Sequence, residues 1–333
     1  MKKILTFFLL ITLMSVTLLY GCTQSSNNLE NTDLQQSNAN STINKDDATD
    51  ISDFTKHPSI SALMLVLGFF DEKNNLYTKS SINIGNSKDF KFVLETSCGV
   101  NPIPKEDIDV AITAYIDYKQ VEFSVGNDTS KINRYIYKSK SDDHNKLTLT
   151  IPTSSLAGTH KLTIVSQCTK YVGEGIGDSI CRSVDLNIGN ETSYDPNDKK
   201  SSGKDITYPG AVDQNTLIIN RKFIPETEKS NGIERSSLVI KAKKNENISL
   251  ALRFPQAATD GILFLTLNSN QIPIDGQQYL YFKDMKNPMF KKITIKTPDK
   301  PGEYYLTGYF VHAPWEKTSD LTAISNSIKL IIE

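Results

Sequence analysis

Residues 147–188 lie over residues 291–332 without a gap, at a constant offset of 144. Thr150-Ile151 falls on Thr294-Ile295, Gly158 on Gly302, and Leu162-Thr163 on Leu306-Thr307. Towards the ends, Ser183, Leu186 and Ile188 fall on Ser327, Leu330 and Ile332. Further upstream, Ser80-Ser81-Ile82-Asn83-Ile84 matches Ser236-Ser237-Leu238-Val239-Ile240, and the alternation Phe90/Phe92/Leu94 matches Ile248/Leu250/Leu252. A period of about 145–160 residues is too long for a solenoid unit and has the size of one domain. Whatever this chain folds into, it has to do so twice.

From about residue 58 the texture is one of short β-former runs between Gly/Asn/Asp/Lys clusters, which reads as strands joined by turns. The expected strands are 62–70, 90–98, 109–117, 121–125, 133–137, 147–151, 161–168 and 181–188 in the first half. In the second half they are 216–220, 237–242, 248–254, 262–267, 279–282, 293–297, 304–311 and 327–332. Beyond the N-terminal segment no window sustains the 3.6-residue apolar period of a helix, so the fold class is all-β. Seven or eight strands per half, with closely spaced turns, call for a β-sandwich with Greek-key connections. Thr297-Pro298-Asp299-Lys300-Pro301-Gly302-Glu303-Tyr304 resembles the run into the penultimate strand of bacterial immunoglobulin-like domains. The resemblance implies two tandem immunoglobulin-like β-sandwiches, with Tyr304 hydrogen-bonding back across its corner; His160 stands at that place in the first half. It implies a fold and no catalytic residue.

The chain opens with Met1-Lys2-Lys3 and then an unbroken apolar and hydroxyl run to Leu19. At about 16 residues this run is short of the roughly 20 a spanning helix needs, and suits a signal-peptide core. Leu19-Tyr20-Gly21-Cys22 resembles the lipobox of bacterial lipoproteins. That resemblance implies cleavage before Cys22, a diacylglyceryl thioether on it, and anchorage at the outer face of the cytoplasmic membrane, in the cell envelope. Two acyl chains make physical sense, since one holds a protein only marginally. Residues 22–57, rich in Ser, Asn, Gln and Asp, bury too little apolar surface to offset ordering and read as a disordered tether. Its mean reach is on the order of 30 Å. The expected division is therefore signal peptide 1–21, tether 22–57, sandwich 58–189, linker 190–205 and sandwich 206–333.

A net charge of −1 argues against nucleic acid as a partner. No phosphate loop, zinc motif or nucleophile elbow is present, so neither cofactor nor metal is expected. Asp142-Asp143-His144 reads as a solvated turn, and Asp195-Pro196-Asn197-Asp198 as a hydrated linker rather than a calcium site. With Cys22 spent on lipid, three cysteines remain for an oxidising compartment. Placed on the sandwich, Cys168–Cys181 would clip the loop between the last two strands, worth roughly 3 kcal/mol in the chain-entropy model. Cys98–Cys168, across the two sheets, is one alternative, and three reduced thiols are the other.

Loops gathered at the poles of a sandwich can present a surface without disturbing the core. Tyr171 in the first half aligns with Trp315, the sole tryptophan, in the second. These two are the candidate binding residues, with the alternative that both tuck back over the sheet edge. The expected role is non-catalytic: binding, adhesion or spacing at the envelope, towards a protein or a polysaccharide. Two other readings stand beside it, a solute-capturing lipoprotein built of α/β lobes and a cell-wall hydrolase with paired carboxylates.

Overall fold

Phe90, Phe92 and Leu94 are buried while Lys91 between them is exposed, so this strand turns one apolar edge inwards every second residue. The same alternation recurs along the chain and sets the layers of the computed structural model. The structure describes residues 62–77, 81–101, 107–141, 143–169, 179–189, 206–207, 217–220, 239–254, 260–283, 285, 289–316, 322–325 and 327–333. The expected signal segment, Cys22, the tether, Tyr171 and the acidic run Asp195–Asp198 lie outside them.

The first half comprises β1 (Ala62–Phe70), β2 (Ser81–Gly85), β3 (Asp89–Asn101), β4 (Ile108–Ile116), β5 (Lys119–Val121), β6 (Ser124–Val125), β7 (Tyr135–Ser139), β8 (Asn145–Pro152), β9 (Gly158–Cys168) and β10 (Ser179–Ile188). One sheet runs β1-β3-β8-β6, and the other β2-β10-β9-β4-β5 with β7 also on β4. The second half comprises β11 (Ile206–Thr207), β12 (Ile218–Asn220), β13 (Val239–Ala242), β14 (Asn247–Phe254), β15 (Gly261–Leu267), β16 (Asn270–Ile272), β17 (Leu280–Phe282), β18 (Met289–Lys296), β19 (Gly302–His312), β20 (Thr322–Ile324) and β21 (Ile328–Ile332). Its sheets run β11-β18-β14-β12 and β13-β21-β19-β15-β16, with β17 on β15 and β20 on β19. Each half closes its own core: Phe92, Leu94, Ile112, Leu149 and Ile164 belong to the first, and Leu250, Leu265, Ile293 and Phe310 to the second. The fold is all-β, two immunoglobulin-like sandwiches in tandem. Among the described residues there is no helix, which removes the α/β lobes of the solute-capturing reading from this part of the chain.

The duplication holds in the hydrogen-bonded ladders. Gly158 pairs with Ile188 as Gly302 pairs with Ile332, and both glycines have the positive φ (89° and 150°) that other residues rarely adopt. Phe90 pairs with Ile151 as Ile248 pairs with Ile295, so the match of Phe90 to Ile248 stands. One match moves. Ser81 lies beside Asp185 as Val239 lies beside Lys329, so Ser81 corresponds to Val239 and not to Ser237. The shift is two residues and keeps every side chain on its face. The parallel strand β2 is absent from the strands expected from sequence, being short and interrupted by Asn83.

Tyr304 does turn back on its corner, its hydroxyl donating to Lys300 O at 3.0 Å. In the first half His160 fills that place, with Nε2 3.0 Å from Ala157 O and Nδ1 2.8 Å from an Asp117 carboxylate oxygen. The halves differ at one sheet edge. In the first sandwich the strand beside β8 is β6, from within the unit; in the second, β11 from the linker side lies on β18.

Candidate functional site

β4 and β9 are buried on both faces, which an antiparallel sheet at the surface would not be. Their inward residues fill the first core. Their outward ones, Tyr115 and Val165 among them, join Ile262, Phe264, Tyr309 and Val311 from β15 and β19 in a third apolar cluster. The larger sheet of each sandwich thus uses its outer face to cover the other, and all these residues fall in one compact unit, Ile51–Glu333. Phe264 lies at the centre, 4.9 Å from the rings of both Tyr115 and Tyr309. Such pairs are worth about 0.5–1.5 kcal/mol each beyond their burial. Burial also pushes the Tyr115 phenol well above its ordinary value.

Two tight turns pin the rim. Asp117 and Tyr118 both have positive φ (49° and 64°), and so do their counterparts Asn268 and Ser269 (48° and 64°), the signature of a type I′ hairpin turn. Each turn is tied to its own sheet in the same way: Lys161 N donates to Asp117 Oδ1 at 2.9 Å, and Tyr305 N to Asn268 Oδ1 at 2.8 Å. After each turn comes a glutamine, and the two glutamines exchange hydrogen bonds. Gln120 N donates to Gln271 Oε1 and Gln271 N to Gln120 Oε1, both at 2.6 Å. Equivalent residues contacting each other reciprocally is the mark of an isologous interface. Here it joins the halves of one chain.

The remaining contacts are one-sided. The Tyr118 hydroxyl donates to Pro314 O at 2.6 Å, and its ring meets Trp315 edge-on at 5.3 Å. Lys161 and Asp185, 3% and 9% exposed, form a 2.5 Å ion pair, and Lys161 Nζ also donates to Glu316 O at 2.8 Å. At the equivalent places the second half has Tyr305 and Lys329. Gln167 reaches across to the Thr307 and Ser269 hydroxyls, at 3.1 and 2.6 Å.

Trp315 therefore sits at the edge of the inter-sandwich cluster, between Tyr118 and Tyr281, with its ring only partly exposed. Cys168 and Cys181 lie on opposite faces of their sheet. Cys168 is in the first core, whereas Cys181, across from Val165, packs against the third cluster. That separation works against the loop clip Cys168–Cys181. Cys98 shares the first core with Cys168. His144 is held by Glu95 at 2.9 Å, and no group of three or more metal-ligating side chains occurs among the described residues.

Tyr118, Gln120, Lys161, Phe264 and Gln271 were not picked out from sequence. A signal for part of this was present: 108–116 and 261–267 are near-continuous β-former runs, and such a strand needs cover on both faces.

No family model matches this chain, and no curated protein does. Among solved structures it is similar to the C-terminal domain of the AgI/II polypeptide BspA of Streptococcus agalactiae, with 10% identity over 80% of this chain and 100% of that one, TM-score 0.22. It is similar to the fibronectin(III)-like modules of CbhA from Clostridium thermocellum, with 10% identity over 81% and 94%, TM-score 0.21. A C-terminal domain of the antigen I/II-family protein AspA of Streptococcus pyogenes gives 8% identity over 81% and 99%, TM-score 0.21. At these values the likenesses say nothing of what this chain binds.

Proposed function

We propose that this protein is a lipid-anchored display lipoprotein of the bacterial envelope. Acylated Cys22 holds it at the outer face of the membrane, and residues 22–57 tether a paired-sandwich body that binds or spaces without catalysis. The observation that carries the reading is the reciprocal packing of the two larger sheets around Phe264. Tandem sandwiches on a bare linker would swivel, whereas an apolar interface of this kind holds one orientation. A fixed orientation is what a spacer or a two-domain contact surface requires. The contact surface in this reading is the loops carrying Tyr171 and Trp315, opposite which an envelope protein or polysaccharide would sit. Trp315 braced by Tyr118 would lose little freedom on binding, and that preorganisation favours affinity.

Two measurements test it. Detergent-phase partitioning should move the full chain into the detergent phase and leave Cys22→Ser in the aqueous one. Capture of a partner from envelope extract should weaken at least tenfold for Tyr171→Ala and for exposed Glu316→Ala at unchanged melting temperature. Equal capture by both variants rejects the loop surface. A cleared zone on purified cell wall rejects the non-catalytic reading.

A further inference from the structure

The inward face of β3 carries Thr96 and then Cys98; the inward face of β9 carries Ser166 and then Cys168. Thr96 Oγ1 and Ser166 Oγ lie 3.2 Å apart and are buried, so the two strands meet across the sandwich at this level. One step further along each face come the two thiols, both fully buried in the first core. Tyr137 from β7 points its hydroxyl into the same place. Burial pushes that phenol up to about 12, and Thr96, Cys98 and Cys168 are all close enough to act on it. Cys181 is excluded from the group, because its strand turns it to the opposite face.

We infer that Cys98 and Cys168 close a disulfide across the first sandwich when the chain folds in an oxidising compartment. Each sulfur gives up its proton and one S–S bond forms. The two electrons pass to the disulfide of a thiol–disulfide oxidoreductase or of a small disulfide compound, which is reduced to two thiols. Cys168 falls on His312, so the bond is private to the first half. It joins β3, zipped to β1 from Ala62↔Asn101 to Phe70↔Val93, to the sheet docked on the second sandwich. If the chain is pulled from its N-terminal tether, the bond carries the pull from the tethered sheet to the inter-sandwich face. That consequence rests on the anchored reading; the bond does not.

The full-length protein, exported and purified without reductant, is incubated with oxidised glutathione, denatured in alkylating agent and digested. The expected product is a peptide pair joining Cys98 to Cys168, with Cys181 alkylated. A link that includes Cys181, or alkylation at all three positions, overturns the inference. Single-molecule stretching gives a second readout that does not depend on anchorage. The cross-link hides 168 − 98 = 70 residue steps, about 250 Å of chain at roughly 3.6 Å each. Oxidised protein should unfold to a contour length shorter by that amount and regain it in reductant. Equal lengths in both conditions reject the cross-link.

Discussion

Tyr118 holds a left-handed backbone that bulky residues avoid, at a cost of order 1–3 kcal/mol. Its hydroxyl bond to Pro314 O and its contact with Trp315 offset that cost, so the strain is held by the neighbouring sandwich. His312 shows a different balance. Its ring meets Phe310 edge-on at 4.9 Å, and burial lowers its pKa from the ordinary 6.5. A histidine depressed in the folded state gives its full stability above about pH 6.5 and loses it as pH falls from there towards the folded value, because the unfolded chain takes up the proton first. Denaturant midpoints at pH 7.5 and pH 5 should therefore fall further for the wild type than for His312→Gln. Equal falls would show that this ring contributes nothing to the acid response.

Among the elements, β9 does the most. Its inward residues close the first core, and its outward ones face the second sandwich. Lys161 and Asp185 sit directly opposite each other on β9 and β10, beneath the segment that carries Glu316. Removing one partner of a buried pair strands the other charge, so Asp185→Leu alone should cost about 3–5 kcal/mol. Combining it with Lys161→Met should restore most of that, as measured by urea denaturation. If the double variant is as unstable as the single one, the pair is a net contributor and the stranded-charge account is wrong. The strand positions themselves were legible from alternation and turn residues. The lost case is instructive: β2 carries too few apolar residues to read alone, and is a strand because β10 offers it an edge.

At the scale of the molecule, the two sandwiches share a face that neither could leave exposed. The described body should unfold in one transition, since opening the interface bares Tyr115, Phe264 and Tyr309 together. Phe264→Asp would place a charge at the centre of that cluster and should split the calorimetric trace into two transitions. Trp315, the sole tryptophan, reports the same event: its emission should shift to the red in the variant before either core melts. A single transition with unshifted emission would mean that the face contributes nothing to holding the halves together.

The fold class, the duplication and most strand positions follow from local pattern: period-two alternation, turn residues and a constant offset are carried by neighbours in the chain. The corner role of Tyr304 was implied by the resemblance to immunoglobulin-like domains, and its bond is local too, reaching a carbonyl four residues away. Which face of a doubly apolar strand meets which partner is not local. Pairing Gln120 with Gln271 joins residues 151 positions apart, and nothing near either one encodes it. The same holds for the cysteines. Placing the cysteines on the expected sandwich favoured a clip between Cys168 and Cys181, but the pleat turns these two to opposite faces and leaves Cys168 in the core with Cys98. Local pattern determined what each half is; only packing decided that the halves cover each other, because burial is a property of surfaces brought together by the whole chain.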